Sequence, residues 1–299
     1  MAIQRVLTFL LTTLVAVVIP ATLAAGGNPR ELGRVSWLRD WNEAAAHSRA
    51  EGRPLFVLFQ EIPGCATCVG FGQTVLSNPR LVEGIETLFV PLAIHNNKGG
   101  ADQVVLERFG EPAWNNPVVR FMAADGKDWI ARKDGVWSEA EVARRMVAAL
   151  DASGHAAPEW LHVVADELDV DDARHLYLAM HCFWEGEARL GSIEGVLATR
   201  AGFIDGQEVV DVTYDAGHLD AATLIAEADR RGVAGKAWRD GDPGFREAPP
   251  SDQKRHLSGT RWEKAPDLTP LQAARINSAL ADGKDPAAWL TPRQAAALK

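Results

Sequence analysis

Cysteine and tyrosine are the scarce residues of this chain, three and two among 299. Three cysteines are too few to staple a small disulfide scaffold and one too many for a single pair. An excess of basic charge is also missing. Lysine and arginine total 31 against 40 acids, for a net charge of −9, which argues against a basic nucleic-acid face. With 47% hydrophobic and 24% charged residues, the chain is neither disordered nor collagen-like. Its length allows two domains, each able to bury its own core.

Residues 1–25 carry a single charge, Arg5, followed by an apolar run over 6–19 broken only by threonines. Pro20 and the small residues around Ala24-Ala25-Gly26 follow. The run is short for a membrane span and has the flanks of an export signal, with an uncleaved N-terminal anchor as the other reading. In both cases the remainder is expected outside the cytoplasm, in the periplasm or otherwise exported. Few cysteines in such a compartment point to redox or ligand roles.

Residues 37–49 show helical spacing, with Trp37, Trp41, Ala44 and Ala45 on one side, and Gly52-Arg53-Pro54 stops the run. The continuous apolar stretch 55–59 reads as a strand buried on both faces. Directly behind it stands Ile62-Pro63-Gly64-Cys65-Ala66-Thr67-Cys68, a Cys-x-x-Cys at the mouth of the following helix. Free N–H groups and the helix dipole would lower the pKa of Cys65. Cys68, one turn on, could then attack a mixed disulfide and release the product. A zinc site needs two further ligands, and no second Cys-x-x-Cys exists, so neither metal nor cofactor is expected. Further on, 88–94 and 118–122 read as strands, with helices over 102–109 and 138–150.

Over residues 35–152 this order resembles the thioredoxin family. In that family an X-Pro before the third strand is cis and packs beside the Cys-x-x-Cys. The resemblance gives that role, and with it substrate contact, to Pro117 in Asn116-Pro117. Ile62-Pro63-Gly64-Cys65 is similar to a group of exported thioredoxin-like proteins with Val-Pro-Gly before selenocysteine or cysteine. That likeness favours Cys65 as the nucleophile.

A small-residue linker over 151–158 leads to a second domain, placed at 159–235. It opens with a helix over 159–168 and the end of a strand at Tyr177-Leu178-Ala179-Met180. His181-Cys182-Phe183-Trp184-Glu185-Gly186-Glu187 follows, then strands near 195–203 and 206–215 and a helix over 219–228. Over roughly 176–230 these pieces, in this order, resemble A-type peptide-methionine (S)-S-oxide reductases. The resemblance implies a compact α+β, ferredoxin-like domain with Cys182 as nucleophile and Phe183 and Trp184 as aromatics holding the substrate methyl group. It also makes Glu208 the proton donor to the sulfoxide oxygen, for which burial would have to raise its pKa. Glu187 matches the glutamate of the family's first helix. His181 and Glu185 replace the family's motif glycines, and Tyr177 and Tyr214, the only tyrosines, match neither pocket tyrosine. Beside Cys182, His181 either lowers the thiol pKa, helps bind a metal, or is a strand-end histidine with a hydrogen-bonded ring. His155, His162 and His175 read as surface residues.

Residues 236–299 read as an irregular segment and a helical tail. There Leu268-Thr269-Pro270-Leu271-Gln272 recurs as Leu290-Thr291-Pro292-Arg293-Gln294, each with an N-cap threonine and an N1 proline. The fold class is therefore α/β: a thioredoxin-like domain, a reductase-like α+β domain and the tail. The functional expectation is an exported thiol–disulfide oxidoreductase reducing methionine sulfoxide or a related oxidised substrate. Cys182 would be the nucleophile and Cys65 with Cys68 the recycling pair. Its partners would be oxidised proteins or peptides and an external thiol donor, with no nucleic acid, and with membrane only through an uncleaved signal. Two alternatives stand: a disulfide reductase with an inactive binding domain, and a soft-metal binding or delivery protein.

Overall fold

The computed structural model describes residues 27–114, 117–233, 235–239 and 243–299. The proposed export signal and the Asn116–Pro117 bond lie outside the described residues. Helix α1 (Trp41–Glu51) starts at Asp40, whose carboxylate accepts the Glu43 N–H, and ends at Gly52 in the left-handed region. That cap excludes Trp37 from the helix. Strand β1 (Leu55–Gln60) is buried along its whole length. The chain continues through α2 (Ala66–Gln73), α3 (Pro79–Leu88), β2 (Val90–His95), α4 (Gly100–Phe109), β3 (Val118–Met122) and α5 (Glu139–Ala152). The sheet order is β2-β1-β3, with β2 parallel and β3 antiparallel to β1. Phe56, Phe89 and Phe121 interlock at its centre, Phe56 and Phe121 edge to face at 5.3 Å. Each buried ring contributes about 2–3 kcal/mol of apolar transfer.

Helix α6 (Glu159–Leu168) departs from the boundary read in the sequence. Trp160, Leu161, Val164 and Ala165 enter the first core beside Met146 and Leu81. The first packing unit therefore extends to residue 168. The reason is amphipathic: the apolar face of α6 is covered by α5 and α3.

The second unit runs β4 (Ala173–Ala179), α7 (Phe183–Leu190), β5 (Val196–Ile204), β6 (Gln207–Asp215), α8 (Ala221–Arg230) and β7 (Ala237–Arg239). With β8 (Arg246–Glu247) the antiparallel sheet order is β7-β4-β6-β5-β8. The βαββαβ run gives the four-strand order β7-β4-β6-β5, a ferredoxin-like arrangement, to which β8 is added beside β5. The segment after 235 thus supplies two short strands and is less irregular than its Gly/Pro content suggests. One sheet face packs on α7 and α8 through Leu178, Val210, Val212, Phe183 and Leu224. On the other face Asp211, fully buried, holds His175 Nδ1 at 2.8 Å and Arg200 Nη2 at 2.5 Å; His175 is exposed, as read from the sequence, and pairs with Asp211 from the surface.

The tail forms α9 (Pro270–Ala281), a 3-10 turn (Pro286–Trp289) and α10 (Pro292–Ala297). Thr269 and Thr291 each form a full capping box with the glutamine three residues on. Helix α9 lies on α7 and β5. Among the described residues no helix is long and apolar enough to cross a membrane.

Candidate redox site

Strand β1 delivers the chain into Glu61-Ile62-Pro63-Gly64, and Cys65 is the N-cap of α2 with no side-chain cap bond of its own. The Ile62–Pro63 bond is cis. Cys65 is exposed and Cys68, one turn on, is fully buried. Their Sγ atoms lie 3.6 Å apart as free thiols. The backbone N–H of Cys68, ahead of lesser contacts, holds the Cys65 thiol below its ordinary value. Burial pushes the Cys68 thiol up to about 11, with Cys65 adding to the effect. Two neighbouring thiols of one loop are thereby divided into an exposed thiolate former and a buried thiol.

The loop is held by residues far away in sequence. Glu31, buried, accepts the Gly64 N–H at 2.8 Å. Asn97 accepts the Ile62 N–H at 3.1 Å and donates to the Pro63 carbonyl at 3.1 Å. The Gln60 amide donates to the Glu31 carbonyl and, at 3.4 Å, to that of Cys68. Glu31 reaches the site because a 3-10 turn (Arg30–Leu32) lies directly on α2. A Cβ at Gly72 would meet the Arg30 carbonyl oxygen at 2.1 Å, so only glycine permits the approach. Sequence reasoning missed Glu31, Gln60 and Asn97. No local motif marks them, although a lone glutamine ending an apolar strand is a partial signal.

Pro117 is buried, and its carbonyl accepts the Trp137 indole N–H at 3.3 Å. Phe59 pairs with Val118, so the register sets Pro117 at the same end of the sheet as the cysteine loop.

Cys182 repeats the placement of Cys65: it follows β4 and is the N-cap of α7, half-buried, with no side-chain cap bond. Glu208 is adjacent through its carboxylate, which accepts the Phe183 N–H at 3.0 Å, and its carbonyl, which accepts the Met180 N–H at 2.9 Å. Phe183 departs from the open pocket wall that the resemblance implies. It is 3% exposed and packs edge to face on Phe203 at 5.5 Å, because it points from the first turn of α7 into the core. The Trp184 indole donates to the Asp252 carbonyl at 2.6 Å, and Lys254 lies over its ring. The tail therefore covers this tryptophan. His181 is exposed. Among the described residues no group of three or more His, Cys, Asp or Glu side chains stands in metal-holding geometry.

A thioredoxin-like family model, Thioredoxin_7, matches residues 36–124. The first domain is thioredoxin-like. A solved structure of DsbH oxidoreductase is similar at 17% identity, covering 42% of this chain and 90% of its own, with a TM-score of 0.35. A thioredoxin from Thermus thermophilus is similar at 24% identity over 40% of this chain and 90% of its own, also at 0.35. No curated protein gives a significant match. The matched stretch, residues 36–124, contains both Cys65 and Cys68.

Proposed function

We propose that the protein is an exported thiol–disulfide oxidoreductase in which Cys65 attacks and Cys68 resolves. The supporting observation is the division of the two thiols, 3.6 Å apart, into an exposed one with lowered pKa and a buried one with raised pKa. The Cys65 thiolate attacks a substrate disulfide, forming a mixed disulfide and expelling one substrate thiolate. Cys68 then loses its proton and attacks Cys65, closing the Cys65–Cys68 disulfide and releasing the second substrate thiol. An external dithiol reduces the pair. Export is read from residues 1–25.

Cys68→Ser is expected to trap a substrate mixed disulfide visible by mass spectrometry, and Cys65→Ser to abolish disulfide reduction. Turnover surviving in Cys65→Ser would sink the proposal.

A finer reading assigns the second domain a sulfoxide reductase step, supported by the Glu208 carboxylate accepting the N–H of Phe183, the residue after Cys182, at the start of α7. The Cys182 thiolate would attack the sulfoxide sulfur while Glu208 protonates its oxygen, giving a thioether and a sulfenic acid on Cys182. Cys65 would condense with that sulfenic acid, expelling water, and Cys68 would free Cys182. The substrate would be oxidised methionine in proteins or peptides. The test is a dithiothreitol-driven assay on methionine sulfoxide. Activity is expected in the wild type and absent in Cys182→Ser, and a Cys65–Cys182 disulfide should accumulate in oxidised Cys68→Ser. Equal rates in wild type and Cys182→Ser would leave the second domain as a binding module.

A further inference from the structure

A cleft of about 470 Å³ opens on the second domain between α7, β5, the stretch 247–255 and the start of α9. Its volume falls within the range of small-molecule sites. Its apolar wall is Ala198, Ala201, Leu268, Pro270 and Ala273, and its charged groups are Glu187, Arg200, Glu247, Arg255 and Glu263. Three of those five charges are committed elsewhere. Arg200 pairs with buried Asp211 at 2.5 Å. Glu247 takes the Gln253 amide at 2.9 Å and lies 3.7 Å from Arg200. Glu263 accepts the Gly259 N–H at 2.8 Å.

Glu187 and Arg255 are different. Glu187 is 3% exposed, yet its carboxylate receives the backbone N–H of Ala201 and, among the described residues, no ion-pair partner. Arg255, half-buried, acts on it only through space. Two opposite charges thus line one small cavity without touching. A buried carboxylate without a cation in contact is costly, and a ligand cation that reaches it removes that cost. A guanidinium beside it suits a carboxylate, which it can grip with two N–H groups.

We propose that this cleft binds a small zwitterion, a free α-amino acid with an apolar side chain. Its ammonium would sit on Glu187, its carboxylate on Arg255 and its side chain on the alanine, leucine and proline wall. Burial pushes the Glu187 carboxyl up to about 7, so the empty site favours the neutral acid, and an ammonium reaching it would draw it to the carboxylate form. Cys182 does not line the cleft, so the site stands apart from the redox chemistry.

The test is calorimetric titration of the full chain with free L-leucine, N-acetyl-leucine and leucine methyl ester, followed by a panel of other free apolar amino acids. At least one free amino acid is expected to bind one to one. Its N-acetyl and ester forms, which lack one of the two charges, should bind at least about tenfold more weakly. Glu187→Gln and Arg255→Gln should each lose a similar factor while keeping the disulfide-reducing activity of Cys65 and Cys68. That retained activity shows a folded chain and separates failure of the site from failure of the redox reading. No binding by any free amino acid at millimolar concentration overturns the proposal. So does an ester or N-acetyl form that binds as well as its parent, or unchanged affinity in both variants.

Discussion

Glu187 carries a pH signature that stability measurements can read. Its carboxyl titrates near 4.5 in an unfolded chain and at about 7 in the fold, where burial is the leading cause. Between those values the unfolded chain releases a proton that the folded chain keeps. The stabilising contribution of the neutral acid is therefore full below about pH 4.5 and lost as pH rises through 7. Glu187→Gln cannot ionise. It should match the wild type at about pH 4 and exceed it by about 3 kcal/mol at about pH 8.5 in urea unfolding. An offset independent of pH would refute this account. At the other site, the lowered Cys65 pKa predicts alkylation by iodoacetamide that levels off at a lower pH than for free cysteine. Cys68, buried and raised to about 11, should remain unlabelled at neutral pH in the native protein. Peptide mapping of the labelled sites distinguishes the two thiols.

Helices α2 and α7 share one local design with different surroundings. Each begins at a cysteine N-cap behind a strand. At α2 a backbone N–H serves the Cys65 sulfur, whereas at α7 Glu208 takes the Phe183 N–H. Glu208 is thus a cap as well as a candidate acid, and substitution separates the roles. Glu208→Gln keeps an acceptor oxygen and should hold stability within about 0.5 kcal/mol while abolishing sulfoxide reduction. Glu208→Ala should also lose about 1 kcal/mol in unfolding. Equal sulfoxide reduction by Glu208→Gln and wild type would remove the proton-donor role. The loop before α2 is packed to its limit. A Cβ at Gly64 would meet the Glu61 carbonyl oxygen at 2.5 Å and Cys68 Sγ at 2.8 Å. Gly64→Ala must push the two cysteines apart or displace the backbone, so disulfide reduction should fall about tenfold or more with the fold retained by circular dichroism.

The tail joins the two units. Arg275, buried, donates to the carbonyls of Gly191, Ile193 at 2.9 Å and Val196 at 3.4 Å, fastening α9 to the turn between α7 and β5. The Gln272 and Gln294 amides bond reciprocally at 2.8 and 3.0 Å, so the capping boxes of α9 and α10 lock together. From there the Arg293 N–H reaches Glu83 of α3 at 2.6 Å, and the turn at Pro286–Trp289 packs on α6. Arg275→Leu leaves three carbonyls without their donor and should lower unfolding stability by about 3 kcal/mol. Unchanged stability in denaturant would show that the tail is a passive appendage.

The strand, the Cys-x-x-Cys and the helix behind it follow from the sequence alone. An apolar run of strand length needs burial on two faces, and helix starts, turns and caps are local hydrogen-bonding problems solved within a few residues. The same holds for Thr269-Pro270 and Thr291-Pro292, whose capping boxes are legible as spacing. The βαββαβ order of the second unit was legible only in part, because β7 and β8 are too short to carry a periodic signal. Tertiary structure decided which charges are buried and which groups meet. Glu31 supports Gly64 from 33 residues upstream, α6 joins the first core across the linker, and Phe183 is turned inward from a pocket it was expected to line. The unpaired opposition of Glu187 and Arg255 likewise exists only where α7 and the stretch 247–255 face one cavity. Desolvation depends on what packs around a group, and those neighbours are distant in sequence, so no local pattern encodes it.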